Sequence, residues 1–258
     1  MKLQLLVSAM NKDAESLINT MGIRTDAVII NQCDKYDVRV FEDSDKKIEY
    51  YDMNERGVGR SRNSAVLKSS GDILLFSDED IVYEKDYEKR VIKAFEENKD
   101  ADMLIFNIEV DESRRTYHID KKMKVGPFNC GRYPTYSMAV KRDVLLKKGI
   151  MFSLLFGGGA PYSAGEDSLF VMDCVRSGMK IYALPVTIGR EILRPSTWFN
   201  GYTEKFFYDR GVLFAHLYGR AAGLMAARYI LVKKKVMCRE IKPLDAYLLI
   251  KKGIKDGR

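Results

Sequence analysis

The amino-acid sequence predicts an α/β fold in which a mostly parallel central sheet carries helices on both faces. Short apolar runs typical of buried strands alternate with segments of helical periodicity through residues 1–218. With 258 residues, 46% of them hydrophobic, the chain is long enough to bury a core around such a sheet. Residues 219–258 differ in charge and predict a C-terminal helical tail, which makes two domains, 1–218 and 219–258.

The first elements form a β-α unit. Residues 3–7 are a compact apolar run, and residues 13–21 follow with helical periodicity that Gly22 ends. Further strands are predicted at 27–30, 38–41, 48–53, 103–110, 136–140 and 180–184, the last stopped by Pro185, with helices at 87–95 and 143–148. The polar segment 111–124 is predicted to be a mobile connector.

The central strand of the prediction, residues 73–76, runs into the acidic turn Asp78-Glu79-Asp80. A strand that ends in carboxylates presents them at the crevice where open α/β sheets bind ligands. Two carboxylates at this spacing suit Mg²⁺ or Mn²⁺, ions that take one or two carboxylates and complete their shell with phosphate oxygens and water. A solvated acidic turn is the alternative for this pattern taken alone.

Two glycine-bearing loops lead into helices. Residues 54–63, NERGVGRSRN, offer free amides and guanidinium groups that suit a phosphate, although Arg62 stands where a dinucleotide fingerprint has its third glycine. The second loop, residues 156–165, precedes Glu166 and Asp167 at the start of a helix that ends near Gly178. Acids in a first helical turn are also favoured simply by the helix dipole.

Composition narrows the class of protein. The four cysteines form no C-x-x-C pair, and with two histidines they predict a reducing, cytoplasmic protein without zinc. The first residues are too short an apolar run for a signal peptide, and nothing reaches transmembrane length. Segment 219–258 holds 11 Lys/Arg against 3 Asp/Glu, a charge of +8. Because the net charge of the whole chain is +7, residues 1–218 carry about −1. This distribution favours an anionic surface over a nucleic acid.

The order of these motifs resembles family 2 glycosyltransferases of the GT-A fold, many of which serve bacterial polysaccharide or glycolipid assembly. The resemblance rests on the N-terminal β-α unit, the segment 54–63, the strand running into Asp78-Glu79-Asp80, and Gly165-Glu166-Asp167 opening a helix. It covers residues 1–215 approximately. It implies an inverting transferase that moves a sugar from a nucleotide sugar, with a UDP-sugar favoured.

The resemblance also implies roles for the donor side of the site. Asp80, with Asp78, matches the D-x-D pair, in which the second acid holds the Mn²⁺ or Mg²⁺ that bridges the donor diphosphate and the first lies near the ribose or sugar. Arg62 matches an arginine near base and phosphates, Gly59 lies in the same nucleotide-sugar-binding loop, and Ser8 falls where the family lines its base pocket.

On the acceptor side, Asp167 resembles the catalytic base, and Glu166 beside it shapes the acceptor site. One departure is clear: where the family usually carries D-D-G-S after the second strand, this chain has Asn-Gln-Cys-Asp, so Gln32 and Asp34 are the candidates for reading the base. Residues 196–198, Ser-Thr-Trp, resemble a segment placed near the acceptor or diphosphate.

The implied reaction is the transfer of one sugar to a hydroxyl group of a glycan or a lipid-linked acceptor, because the Q/R-x-x-R-W pattern of processive synthases is absent. Two alternatives stay open. One is a nucleotidyltransferase, which would normally carry a glycine-rich basic loop after the first strand. The other is a catalytically silent sugar- or nucleotide-binding subunit of a membrane-associated assembly.

The tail contains two apolar and basic segments, 221–235 and 246–255, which predict amphipathic helices. One interpretation is peripheral docking on the cytoplasmic face of an anionic membrane, where lipid-linked acceptors are found. The other is that both helices pack on the catalytic domain and expose their lysines to water.

Overall fold

The computed structural model describes residues 1–43, 45–112, 117–193 and 201–258. The strands are β1 Leu3–Met10, β2 Asp26–Gln32, β3 Asp37–Asp43, β4 Lys46–Met53, β5 Ile73–Asp78, β6 Ile81–Tyr83, β7 Met103–Glu109, β8 Met123–Lys124, β9 Met138–Lys141 and β10 Ile181–Glu191. The helices are α1 Ala14–Met21, α2 Val58–Lys68, α3 Tyr87–Glu97, α4 Arg142–Lys148, α5 Glu166–Arg176, α6 Glu204–Tyr218, α7 Ala222–Met237 and α8 Pro243–Asp256.

The described strands form one sheet in the order β3-β4-β2-β1-β5-β9-β7-β10-β6, with β8 paired to β10. Strands β4, β2, β1 and β5 run parallel to one another, and β7 runs parallel to β10. These parallel pairs confirm the predicted α/β fold with a mostly parallel sheet. Two apolar cores cover the two faces of the sheet, as such a fold requires.

The parallel register gathers several predicted site residues at one edge. Ser8 of β1 lies directly beside Asp78 of β5, and Gln32 ends β2 beside Met10 at the end of β1. Because β1, β2 and β5 point the same way, their carboxyl ends form a continuous rim. The loop before α2 returns to this rim, since Gly57 N donates to Gln32 Oε1 over 2.8 Å.

The prediction that Pro185 stops the last strand is wrong. β10 continues to Glu191, and its pairing with β7 shifts register between Ala183 and Thr187. A proline has no amide hydrogen to donate to the hydrogen bonds between strands. At a β-bulge one residue is left unpaired, so a proline is tolerated there. The strand therefore passes Pro185 and carries Glu191 beside the acidic turn, where Ile192 N donates to Asp80 O over 2.8 Å.

The described part of segment 111–124 is held against the sheet, contrary to the prediction of a mobile connector. Ile119 is buried, and its backbone exchanges two hydrogen bonds of 3.0 Å with the Asn107 side chain. Further along, β8 pairs with β10. The Asn107 side chain thus satisfies the backbone N–H and C=O groups of Ile119, which would otherwise need backbone partners.

Helices α6, α7 and α8 form a third apolar cluster. α6 and α8 approach closely at Gly211 and Gly253, where an added Cβ would stand 2.1 Å from a backbone oxygen of the other helix. The tail helices therefore pack on α6, and the boundary at residue 218 stays a prediction. None of the helices in the described part of the chain is long and apolar enough to cross a membrane.

Candidate active site

Arg62 of α2 is the centre of a cluster of acidic side chains. It is only 4% exposed, and Nη2 donates to Asp78 Oδ1 over 3.0 Å. Nη1 donates to Asp167 Oδ1 over 3.0 Å and to Glu166 Oε1 over 3.2 Å. The guanidinium thereby joins the end of β5 to the start of α5, two elements that sequence reasoning had assigned to the donor and the acceptor sides.

The charges in this cluster do not balance, since one guanidinium faces three carboxylates. Burial raises the pKa of Glu166 to about 7, with a further contribution from Asp167 and opposition from Arg62. Burial also raises the pKa of Asp78 despite the attraction of Arg62. Burial lowers the pKa of Arg62 itself, but the three acids outweigh it and raise the pKa above its ordinary value. Acids with pKa values displaced in this direction are typical of functional sites.

The acidic turn divides its three carboxylates between two tasks. Asp78 points to Arg62, whereas Glu79 anchors the end of β1 by accepting from Met10 N over 2.7 Å and pairing with Lys12 Nζ at 2.9 Å. Asp78 and Asp80 both raise the pKa of the Tyr136 phenol, so both carboxylates lie within electrostatic range of that ring. Glu79 is instead engaged with the end of β1.

The glycine loop before α5 determines how Glu166 and Asp167 are exposed. Gly157 covers the Glu166 carboxyl so closely that an added Cβ would stand 2.7 Å from Cδ. Asp167 is the more accessible acid, with 30% of its side chain exposed against 13% for Glu166. This difference favours Asp167 as the group that meets a substrate.

Helix α6 fixes the other end of the same loop. Asp209 is buried, and its Oδ2 accepts from Ser163 N over 3.0 Å and from Ser163 Oγ over 2.9 Å. Lys205 Nζ lies 2.7 Å from the same oxygen. Gly165, with φ of 127°, leaves room for Leu213. The acid pair therefore depends on α6 for its position.

Two residues of the site were not predicted from the sequence. Thr135 is buried and donates from Oγ1 to Asp167 Oδ1. Burial raises the pKa of the Tyr136 phenol, and four surrounding carboxylates, Glu191, Asp78, Asp167 and Asp80, raise it further. Residues 135–137 form the helical turn that leads directly into β9. No local sequence signal marks them.

The predicted nucleotide-side residues line the rim with different degrees of exposure. Ser8 is buried, and its Oγ accepts from Ser61 Oγ over 3.0 Å. Gln32 is also buried, with its Oε1 bound to Gly57 N. Asp34 is exposed and pairs with Arg56 Nη2 at 2.5 Å.

Gly59 has a packing requirement of its own. An added Cβ would stand 2.4 Å from the Ser153 backbone oxygen. The structure places Gly59 in the first turn of α2, and its small size there is explained without a bound nucleotide. Residues 196–198 lie outside the described residues.

Comparison with known protein families decides the class of this chain. The model of the family described as Glycosyl transferase family 2 matches residues 15–152, which is more than half of the chain. The chain belongs to glycosyl transferase family 2. The match contains the segment around Arg62 and the acidic turn, so the resemblance inferred from these motifs is confirmed. A search of curated protein sequences gives no match.

Solved structures support the same fold for this family 2 glycosyltransferase. Residues 1–349 of S. aureus TarS in complex with UDP-GlcNAc superpose with a TM-score of 0.66 at 14% identity, covering all of this chain and 80% of that one. The complex of TarS 1–349 with UDP gives a TM-score of 0.61 at 14% identity, with 93% and 74% covered. The GT-A fold of this chain follows from these similarities.

The described residues of this glycosyltransferase contain no group of three or more His, Cys, Asp or Glu side chains arranged to hold a metal ion. Asp78 and Asp80 offer hard oxygen ligands of the kind that Mg²⁺ and Mn²⁺ prefer, and Asp78 accepts from Arg62 through Oδ1. The acidic turn therefore fits an ion that takes most of its ligands from a diphosphate and water. It does not fit one that needs a cage made by the protein.

Proposed function

We propose that this family 2 glycosyltransferase moves one sugar from a nucleoside-diphosphate sugar to a hydroxyl group of a glycan or a lipid-linked acceptor, with inversion at the anomeric carbon. A UDP-sugar is the favoured donor, because TarS, which shares the fold, has been solved with UDP-GlcNAc and with UDP. The observation that carries the proposal is the bridge from Asp78 through Arg62 to Asp167.

The bridge matters because an inverting displacement needs two groups on opposite sides of one carbon atom. The bond from the anomeric carbon to the diphosphate oxygen breaks, and the bond from the acceptor oxygen forms. The acceptor proton passes to a base, for which we propose Asp167, the accessible acid of the pair. Thr135 and Arg62 both hold Asp167 Oδ1, which fixes the orientation of its carboxyl group.

Negative charge grows on the leaving diphosphate at the other side of the carbon. We propose that Asp80, with Asp78, holds a Mn²⁺ or Mg²⁺ ion there, which supplies Lewis-acid stabilisation of that charge when bound. Ser8, Gln32, Asp34, Gly59 and Arg62 are proposed to line the nucleotide side.

Titration with a panel of nucleoside diphosphates, with and without Mn²⁺, tests this assignment. We expect UDP to bind best and Mn²⁺ to tighten its binding. Asp80→Ala should remove the effect of Mn²⁺ while leaving the weak metal-free binding in place. Asp173→Ala is the matched control, since Asp173 lies exposed on α5 and pairs only with Arg176 among the described residues. Full turnover in excess chelator would contradict the metal assignment.

Product analysis with nucleotide sugars, nucleoside triphosphates and sugar phosphates as substrates separates the alternatives. A catalytically silent subunit would bind the nucleotide and never release UDP from a UDP-sugar, even with cell-derived acceptor mixtures. A nucleotidyltransferase would release pyrophosphate from a nucleoside triphosphate and a sugar phosphate. A glycosyltransferase releases the nucleoside diphosphate from its sugar donor and releases no pyrophosphate.

A further inference from the structure

The packing of the tail leaves one face of each helix outside the protein. The buried side of α7 is formed by Ala222, Ala226, Ile230 and Met237, and that of α8 by Ala246, Ile250, Gly253 and Ile254. All of them except Gly253 belong to the apolar cluster made with α6, and Gly253 meets the α6 backbone at Tyr208. The opposite faces therefore have no part in the core of the tail.

Both outer faces repeat the same pattern. On α7, Leu224, Arg228, Leu231 and Lys235 follow one another at intervals of four, three and four residues, and all are exposed. On α8, Leu244, Leu248, Lys251 and Lys255 have the same intervals and are also exposed. Residues at this spacing lie along one side of a helix. We refer to these two sets as the outer stripes.

The leucines of the outer stripes are largely exposed, and further exposed apolar residues lie beside them on α7. Leu224 is 75% exposed, Leu231 67% and Leu244 68%, and Val232 and Val236 add further exposed apolar surface on α7. Water would not favour this arrangement, whereas a surface that accepts apolar side chains would. The outer stripes therefore indicate a binding surface.

The charge of the tail indicates what that surface binds. All 11 Lys/Arg side chains of segment 219–258 are exposed, and none forms an ion pair with a carboxylate in the described part of the chain. Elsewhere exposed lysines such as Lys93 and Lys180 do pair with acids. A helix face that combines free cations with leucines matches the boundary between phosphate headgroups and acyl chains.

We propose that the outer stripes of α7 and α8 dock this glycosyltransferase on a bilayer that contains anionic phospholipids. The cations bind headgroup phosphates, and the leucines enter the interface. Docking would hold the active site at the membrane surface, because α6, on which both helices pack, also fixes the loop before Glu166 through Asp209 and Ser163. The proposal rests on the tail and does not depend on which sugar is transferred.

Cosedimentation of the full chain with vesicles tests the proposal. We expect the protein to pellet with vesicles of phosphatidylglycerol and phosphatidylcholine at low salt, and to stay in solution with phosphatidylcholine alone or at high salt. Truncation near Gly219 is unsuitable, because removal of α8 would expose the Gly211 face of α6. Point substitutions on the exposed faces avoid this problem.

One variant carries Lys235→Gln, Lys251→Gln and Lys255→Gln, the three lysines of the outer stripes. We expect its partition coefficient to fall by about a hundredfold, as three lost lysines at an anionic surface imply. The charge-matched control carries Lys85→Gln, Lys89→Gln and Lys93→Gln on and before α3, where the lysines are equally exposed. The control should pellet as the unmodified protein does.

A second variant, Leu224→Gln with Leu231→Gln, tests the apolar part of the surface. It should bind more weakly to the anionic vesicles at low salt, whereas Leu67→Gln on α2, also an exposed leucine, should have no effect. The proposal is overturned if the unmodified protein ignores anionic vesicles at low salt. It is also overturned if the tail and control variants pellet alike, or if the leucines mediate self-association in sedimentation velocity without vesicle binding.

Discussion

Two buried charged clusters lie near the same edge of the sheet and are built in opposite ways. At the end of β4, Asp52 is 1% exposed and its Oδ2 pairs with Lys35 Nζ at 3.0 Å and Arg39 Nη2 at 3.1 Å. Its Oδ1 accepts from Asn31 Nδ2 over 2.6 Å and from Cys33 Sγ over 3.5 Å. One carboxylate therefore pairs with two positively charged side chains.

Around Arg62 the imbalance has the other sign, and the pKa values follow it. Burial tends to raise the pKa of Asp52, but its hydrogen bonds from Asn31, Lys35 and Cys33 outweigh burial and lower that pKa. In the Arg62 cluster the pKa values of Glu166 and Asp78 are raised. A surplus of cations and hydrogen-bond donors stabilises a carboxylate and lowers its pKa. A surplus of acids costs stability and raises the carboxylate pKa, which favours proton exchange. This contrast distinguishes a structural cluster from the one that we propose to be catalytic.

The largest expected effect comes from removing the shared cation with Arg62→Ala. Three acids would lose their partner, so we expect the free energy of unfolding to fall by about 3–5 kcal/mol at pH 8. The loss should be smaller at pH 5, where the acids can take up protons. Urea unfolding at both pH values measures this. Arg60→Ala, on an exposed position of the same helix, should change little. Equal losses at both pH values would contradict the account of the cluster.

Asp167→Asn should separate binding from chemistry. The amide keeps an oxygen for Thr135 and Arg62 but cannot accept the acceptor proton, so we expect the rate of nucleoside diphosphate release from the donor to fall about a hundredfold. The affinity for nucleoside diphosphate should stay within about twofold of the unmodified value. Asp173→Asn on the same helix provides the control. A normal rate in Asp167→Asn would show that the base is another residue.

Asp52→Asn is the corresponding substitution in the cluster around Asp52. We expect a loss of about 1.5–3 kcal/mol in the free energy of unfolding, the range for a hydrogen bond to a charged group, with turnover unchanged. Because the pKa of Asp52 is lowered in the folded state, its stabilisation is present above the ordinary pKa of about 3.9 and is lost as pH falls through the folded value. Unfolding curves of the two proteins should therefore converge in acid. A loss of turnover at full stability would contradict the structural role.

The smallest expected effect belongs to Glu166→Gln, and its sign is opposite. The pKa of Glu166 in the folded state is about 7, whereas the pKa of an unfolded glutamate is about 4.3. The folded state therefore loses stability as pH rises through that range. Glutamine removes this cost but weakens the attraction to Arg62, so we expect a gain of about 1 kcal/mol at pH 8 and none at pH 4. Thermal unfolding against pH measures it, and stabilisation confined to low pH would contradict the raised pKa.

The amino-acid sequence by itself determined the elements whose signals are local. The apolar runs of β1, β2 and β5 and the ends of α1, where Asp13 accepts from Ser16 N and Gly22 adopts φ of 67°, follow from neighbouring residues. Asp78 and Asp80 at a strand end, and Glu166 and Asp167 at a helix start, were found in the same way, because each pair is marked by its own element. These signals were enough to recognise the family.

Only the tertiary structure decided which of these groups meet and with what charge. Arg62 reaches partners 104 and 105 residues away, and Thr135 reaches Asp167 from a segment without any motif. The bulge that carries β10 past Pro185 depends on its pairing with β7. Such contacts arise when the sheet brings distant segments together, and burial then sets the pKa of each acid according to its neighbours. Periodicity describes one element at a time and carries no information on those neighbours.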